Sequence, residues 1–157
     1  ILVMGDLKNG RTVHSLVQAM RFYKPRFYFV SPKALSLPKS LLHWLRDNGV
    51  RFSLHSSKSE VLQYADIAYV TRLQKERLNL NLDDDLMQAE QSYFDQCCLG
   101  MGDLSDVKDN FKILHPMPRK DELSSQLDQT KYAYYFEQAK LGVPVRAALL
   151  SLILGDS

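Results

Sequence analysis

The chain has 157 residues, of which 45% are hydrophobic and 24% are charged, and its 20 Lys and Arg against 18 Asp and Glu give a formal net charge of +2. This length and composition are typical of one globular domain and exclude a disordered or fibrous chain. The nearly balanced charge argues against nucleic acid as a partner, and no apolar run reaches the length of a membrane span.

Short apolar runs alternate with helical patterns along the chain, which is typical of β-α units on a mostly parallel sheet. The predicted strands cover residues 2–4, 26–30, 50–54, 67–70 and 111–114. A helix is predicted after the first strand, because the apolar residues there recur at helical spacing: Val13, Leu16, Val17 and Met20. The pattern predicts a Rossmann-like α/β fold, with a doubly wound, mostly parallel five-stranded sheet and helices on both faces.

The later strands are also separated by predicted helices. One begins near Pro38, and another begins at Ser57, where Glu60 completes a capping box. Asp103 is expected to cap a short helix before the fifth strand. The last helix is expected to begin near Pro144 and to bury its apolar side chains, which are Val145, Ala148, Leu149, Leu152 and Ile153.

The two cysteines, Cys97 and Cys98, are adjacent in the sequence. Adjacent cysteines are poor disulfide partners, and two of them cannot supply four metal ligands. The cysteine usage therefore predicts a reduced, cytoplasmic setting and no bound metal.

The segment directly after the first predicted strand carries the first candidate for a binding site. Residues 5–12 read Gly-Asp-Leu-Lys-Asn-Gly-Arg-Thr, which nearly matches the phosphate-binding loop G-x-x-x-x-G-K-[ST]. Arg11 stands where that loop requires lysine, and a planar guanidinium suits a carboxylate better than it suits the place of that lysine between phosphates. A nucleotide triphosphatase is therefore disfavoured.

Two further segments follow the fourth and fifth predicted strands, and ligands of open α/β sheets bind beyond such strand ends. Arg72 and Gln74 alternate and are expected to point to one side, whereas two prolines stiffen the turn His-Pro-Met-Pro-Arg at 115–119. Each feature has a plain alternative, namely a charged loop or a rigid turn. Together with Arg11 and Arg146, they predict a site for a small dicarboxylate without a nucleophile–base pair.

The segments 5–16, 70–77 and 115–119 resemble the aspartate carbamoyltransferase family in their order and approximate spacing. The resemblance covers almost the whole chain, but only the C-terminal half of that enzyme. It implies one aspartate-binding domain, residues 1–157, without the carbamoyl-phosphate-binding domain, whose Ser-Thr-Arg-Thr signature is absent. The chain also opens on Ile1 within a predicted strand, which we interpret as a piece of a longer polypeptide.

The resemblance implies an activity and a set of site residues. The reaction would transfer a carbamoyl group from carbamoyl phosphate to the amino group of L-aspartate, a step of pyrimidine biosynthesis that needs no cofactor. Aspartate would be bound by Arg11, Arg72, Gln74 and Arg146. The carbamoyl group would be bound by the backbone carbonyls of Met117 and Pro118, which a cis peptide is expected to join.

The resemblance also implies how the complete enzyme works. The segment 74–96 would close over the substrates, and the missing half would hold the phosphate-binding groups and form a homotrimer. This half would supply no catalytic residue, so the chain alone is expected to be inactive.

Two alternatives stay open. The first is an enzyme similar to ornithine carbamoyltransferase, although that family carries cysteine in the turn where this chain has Pro116. Arg72 and Gln74 also favour an acidic substrate over a cationic one. The second alternative is a non-catalytic homologue that acts through binding or assembly.

Overall fold

The computed structural model describes residues 1–72 and 83–155. Its strands are β1 (Leu2–Met4), β2 (Arg26–Val30), β3 (Arg51–His55), β4 (Ile67–Val70) and β5 (Lys112–Leu114). Its α-helices are α1 (Arg11–Met20), α2 (Lys39–Asp47), α3 (Asp83–Cys97) and α4 (Tyr135–Leu154). The five predicted strands are confirmed, three of them with the predicted bounds.

The five strands form one parallel sheet in the order β3-β2-β1-β4-β5. The last residue of β1, Met4, is level with Val30 of β2 and with Val70 of β4. The chain therefore builds the sheet outward from β1 in both directions, and the strand order reverses between β1 and β4. A crevice at the carboxyl ends of the strands forms at such a reversal, and it is where open α/β sheets bind ligands.

Helices cover both faces of the sheet. Because successive residues of a strand point to opposite faces, each face has its own apolar core cluster. Val3 and Phe29 belong to a core cluster that α1 and α2 complete with Val13 and Leu45. The second cluster faces α3 and the start of α4, and its members include Leu2, Met4, Val70, Ile113, Tyr93, Cys97 and Tyr135. The prediction of a doubly wound α/β sheet is confirmed.

Two predicted helices are shorter and tighter than expected. Ser57 and Glu60 do form the capping box, but it starts a 3₁₀ turn, Lys58–Glu60, which ends at Val61. Asp103 is not the cap residue of its helix. It lies inside the 3₁₀ helix Met101–Asp106, where its carboxylate accepts a hydrogen bond from the N–H of Gly100 at 2.8 Å.

The prediction for the last helix is wrong in its start and in its burial. The helix α4 begins at Tyr135, so that Pro144 lies inside it. The side chains of its last three turns are exposed, and Leu152 and Ile153 are 82% and 77% exposed. Apolar spacing reveals which residues can be buried, but it does not reveal whether a partner surface is present.

Among the described residues, no helix is both long enough and apolar enough to cross a membrane.

Candidate functional site

A pocket of about 240 Å³ lies at the carboxyl ends of β1, β4 and β5, next to the reversal of strand order. Three separate segments of the chain form its wall, each of them directly after one of these strands. The lining residues are Gly10, Arg11, Thr12, Thr71, Arg72, His115, Pro116, Met117 and Pro118. The pocket is therefore small, polar at several points, and built at the place where the fold itself favours a ligand.

The first wall is a tight turn that brings Arg11 to the start of α1. The carboxylate of Asp6 is buried and accepts hydrogen bonds from the backbone N–H of Asn9 at 2.9 Å and from its side-chain amide at 3.1 Å. The N–H of Gly10 donates to the carbonyl of Asp6 at 3.1 Å, and a Cβ at Gly10 would lie only 2.5 Å from that oxygen. This turn requires glycine and ends one residue before Arg11.

The charge of Arg11 stands at the positive end of a helix dipole. Like charges there cost about 0.3–1 kcal/mol, whereas an anion is stabilised both by the guanidinium and by the unpaired N–H groups of the first turn. Arg11 is exposed, which leaves its guanidinium accessible to a ligand in the pocket. The arrangement therefore favours a bound anion.

The second wall follows β4 and carries Arg72. The preceding residue, Thr71, is buried and donates its N–H to the carbonyl of Met4 at 2.9 Å. Gly5 packs directly against Thr71, because a Cβ at Gly5 would lie 2.3 Å from the Thr71 carbonyl oxygen. Gly5 also has a φ of 116°, which other residues rarely adopt. The ends of β1 and β4 are thus held together just before Arg72 enters the pocket.

The third wall is the turn after β5, which is held by the buried side chain of His115. Its Nδ1 accepts a hydrogen bond from the N–H of Met117 at 2.9 Å, and its backbone N–H donates to Oε1 of Gln138 at 3.0 Å. Met117 has a φ of 52° and is joined to Pro118 by the expected cis peptide. His115 therefore holds Met117 in a left-handed backbone conformation that places both residues in the pocket wall.

A buried carboxylate lies behind this turn. Oε1 of Glu122 lies 2.8 Å from Nε2 of His115, and it also accepts the backbone N–H of Lys120 at 2.9 Å. Because Nδ1 of the ring is an acceptor, Nε2 carries the proton and faces the carboxylate. Burial acts to raise the pKa of Glu122, but the close contact with the His115 ring and the hydrogen bond from the Lys120 N–H outweigh it and hold this pKa below its ordinary value. The ionised Glu122 thereby fixes the tautomer of His115.

The last residue of the turn, Arg119, does not line the pocket. Its guanidinium binds both carboxylate oxygens of Asp128, at 2.5 Å each, and donates to the hydroxyl of Tyr135 at 3.1 Å. This bidentate pair ties the turn to the start of α4. Arg119 is a structural anchor of the turn, and its charge is already balanced.

The structure brings together four of the six predicted site residues, namely Arg11, Arg72, Met117 and Pro118. Gln74 lies outside the described residues, as do residues 74–82 of the segment 74–96 that is predicted to close over the site, whereas the remainder of that segment, 83–96, lies in α3. Arg146 lies in the interior of α4, not in its first turn as expected. Its Nη1 lies 3.1 Å from where a Cβ of Gly142 would be, and it does not line the pocket.

Sequence reasoning missed four polar residues behind the pocket wall, of which three are buried and one, Gln138, is half-buried. Asp6 was quoted only as part of a motif, and Glu122, Gln138 and Tyr93 were not considered. Glu122 stands in the polar segment 119–125 and Asp6 in the polar turn 5–10, so the local sequence reveals neither their burial nor their partners. The pairing depends on the tertiary fold.

The described residues offer no site for a metal. Within 1–72 and 83–155, no group of three His, Cys, Asp or Glu side chains is arranged to hold an ion. Cys97 and Cys98 are free, and burial raises the pKa of Cys97 to about 12 and that of Cys98 to about 11. Both thiols therefore remain protonated near neutral pH and are not activated nucleophiles.

Comparisons with known proteins agree with this geometry. Residues 1–153 match the family model described as "Aspartate/ornithine carbamoyltransferase, Asp/Orn binding domain". The chain is 47% identical over 154 residues to aspartate carbamoyltransferase catalytic subunit 2 of Shewanella halifaxensis, covering 98% of this chain and 47% of that protein.

Solved structures are similar over the same part of the chain. The aspartate transcarbamoylase of Trypanosoma cruzi in complex with aspartate and phosphate has a TM-score of 0.83 at 35% identity and covers 95% of this chain and 48% of its own. The catalytic subunit of M. jannaschii aspartate transcarbamoylase has a TM-score of 0.82 at 37% identity, and the match covers 97% of this chain and 48% of that one. The chain thus spans about half the length of the proteins it matches.

Proposed function

Because the chain belongs to the aspartate/ornithine carbamoyltransferase family, we propose that it supplies the aspartate-binding half of an aspartate carbamoyltransferase. The complete enzyme transfers the carbamoyl group of carbamoyl phosphate to the amino group of L-aspartate. The products are N-carbamoyl-L-aspartate and phosphate. This reaction places the enzyme in pyrimidine biosynthesis.

One observation carries the proposal: the guanidinium-bearing residues Arg11 and Arg72 line the same small pocket although they follow different strands. Aspartate carries two carboxylates on a short carbon chain, and a planar guanidinium binds a carboxylate through two parallel hydrogen bonds. Two such groups on separate strand ends can therefore bind both carboxylates of one molecule and fix its orientation.

The turn at Met117 and Pro118 supplies the other part of the site. Its backbone carbonyls accept hydrogen bonds from the carbamoyl nitrogen and from the attacking amino group. The reaction proceeds when the aspartate nitrogen attacks the carbamoyl carbon and phosphate leaves. Orientation of the two reactants and stabilisation of the developing charge provide the catalysis, without a covalent enzyme intermediate.

Two further residues belong to the proposal on the resemblance alone. Gln74 would bind aspartate beside Arg72, from a loop that closes over the substrates. Arg146 would reach the substrate from α4 once the remaining part of the enzyme is in place. Neither role rests on a contact that the described residues make.

The acidic substrate is favoured over ornithine. The turn carries Pro116, which has no side-chain group to bind the cation of ornithine, and the pocket wall contains two arginines but no carboxylate among its described residues. A cationic side chain would therefore be repelled and left without a partner.

The exposed half of α4 supports the proposal that a second domain completes the enzyme. The apolar side chains of this half, which include Leu149, Leu152 and Ile153, are between 52% and 82% exposed. The relatives are about twice as long as this chain, and we assign their other half, a carbamoyl-phosphate-binding domain, as the cover of this face. A cytoplasmic homotrimer formed through that domain completes the proposal, and the 157-residue chain alone is then inactive.

The experiment is an assay of the full-length protein with carbamoyl phosphate and either L-aspartate or L-ornithine. Formation of N-carbamoyl-L-aspartate, with no citrulline from ornithine, supports the proposal. Citrulline formation would identify the ornithine enzyme instead. Binding of aspartate without turnover of either substrate would identify a non-catalytic homologue.

A further inference from the structure

The carbonyl of Thr71 lies in a tight, buried position directly behind the pocket. On one side Gly5 approaches so closely that any Cβ would lie 2.3 Å from the carbonyl oxygen and 2.5 Å from the Thr71 hydroxyl. The hydroxyl of Tyr93, from the middle of α3, donates a hydrogen bond to the same carbonyl oxygen. Both residues are buried, with Tyr93 at 0% and Thr71 at 3% exposure.

This carbonyl belongs to the peptide unit that leads into Arg72. A peptide unit is planar, so the orientation of the Thr71 C=O also sets the orientation of the Arg72 N–H and the position of its Cα. The direction in which the Arg72 side chain leaves the backbone therefore depends on what holds the Thr71 carbonyl. The N–H of Thr71, which donates to the carbonyl of Met4 at 2.9 Å, fixes the preceding peptide unit, and the hydroxyl of Tyr93 holds the carbonyl of this one.

We infer that Tyr93 is a positioning residue for the proposed aspartate site: its hydroxyl fixes the Thr71–Arg72 peptide unit and thereby aims the Arg72 guanidinium into the pocket. The inference rests on the proposed function. It also links α3, which forms the larger part of the segment 74–96 predicted to close over the site, to one of the two guanidinium groups proposed to bind substrate.

The surroundings of Tyr93 keep its hydroxyl as a donor. Burial raises the pKa of Tyr93 far above its ordinary value, and the charge of Glu122 adds to the shift. The ring is held by an edge-to-face contact with Phe94 at a centroid distance of 5.8 Å. Removing the hydroxyl would leave a buried carbonyl without its donor, while the ring could stay in place.

The test is the Tyr93→Phe substitution in the full-length protein, with steady-state kinetics for both substrates. We expect the KM for aspartate to rise by about tenfold, because Arg72 then spends much of its time in orientations that do not bind the carboxylate. The KM for carbamoyl phosphate is expected to stay within about twofold, because the change acts on Arg72 alone. Tyr28→Phe is the matched control, since it removes a hydroxyl from the same core cluster, on β2, and is expected to change neither KM.

Three outcomes are distinguishable. An unchanged KM for aspartate in Tyr93→Phe, together with a large increase in Arg72→Ala, would overturn the inference and leave the proposed function intact. An unchanged KM for aspartate in both variants would refute the role of Arg72 together with the inference, whereas a wild-type protein that forms no N-carbamoyl-L-aspartate would refute the proposed function itself. An equal rise in the KM for both substrates in Tyr93→Phe would show a general structural role and would also overturn the inference. If the variant is too unstable for kinetics, aspartate binding is measured directly. An unaltered affinity per folded molecule would again overturn the inference.

Discussion

The substitution Arg72→Ala in the full-length protein should weaken aspartate binding without a comparable effect on carbamoyl phosphate. Arg72 lines the pocket and is half-buried, so its hydrogen bonds to a carboxylate are only partly exposed to solvent. Each charge-assisted bond contributes about 1.5–3 kcal/mol, and two bonds at the lower end give about 3 kcal/mol. This free energy corresponds to a decrease of roughly 10²-fold in kcat/KM for aspartate.

The assay is steady-state production of N-carbamoyl-L-aspartate at saturating carbamoyl phosphate. Arg72→Lys keeps the charge but loses the planar fork, so its effect should be intermediate. Arg21→Ala is the matched control, because Arg21 lies before the amino end of β2 and donates to Asn48 at 3.0 Å, away from the pocket. A kcat/KM for aspartate within about twofold of the wild-type value would refute the assigned role.

Three further substitutions test the fold around the site. Gly5→Ala should lower the stability of the folded state by about 2 kcal/mol or more, measured by denaturant unfolding, because it combines a positive φ with a Cβ contact to Thr71. Asp128→Asn should destabilise the protein at neutral pH, but by progressively less as the pH falls below about 4. The hydrogen bond from Arg119 holds the pKa of Asp128 below its ordinary value, so the contribution of the carboxylate is lost as the pH falls through that lowered pKa; an unchanged stability difference at low pH would contradict this. Leu152→Asp should reduce the melting temperature of the full-length protein if a second domain covers α4, whereas a neutral effect would show that this side chain, 82% exposed here, stays in solvent.

The central part of the fold could be predicted from the sequence because its signals are local. The strands at Leu2–Met4, Arg26–Val30 and Ile67–Val70 have the predicted bounds, since each is a short run of apolar or aromatic residues between polar segments. The helical spacing of Val13 and Val17 correctly identified the buried side of α1. Local patterns of this kind determine which element forms and which side of it is buried.

Predictions of helix type and of burial were less accurate where they depended on contacts with residues distant in the sequence. The capping box at Ser57 is real, but Val61 and Leu62 pack into the core and the chain continues as short 3₁₀ turns rather than as an α-helix. The apolar spacing of α4 is also real, but the described chain supplies no surface to cover it. A sequence pattern shows a capacity for burial, whereas burial itself depends on another surface.

The candidate site shows the same contrast between features that follow from local sequence and features that depend on long-range contacts. The convergence of Arg11 and Arg72 on one pocket could be predicted, because segments that follow the carboxyl ends of parallel strands meet at one edge of a sheet. Their supports were not found, because the contacts from Glu122 to His115 and from Tyr93 to Thr71 join segments whose partners cannot be paired from sequence alone. The residues that line the pocket were thus more predictable than the residues that hold them in place.

The most direct test of the account is a crystal structure of the full-length protein with N-(phosphonacetyl)-L-aspartate, which joins an aspartate to a phosphonate. The account predicts that the guanidinium groups of Arg11 and Arg72 lie within hydrogen-bond distance of the two aspartate carboxylates, with the carbonyls of Met117 and Pro118 facing the amide. A complex in which the aspartate part of the inhibitor contacts neither arginine would contradict it.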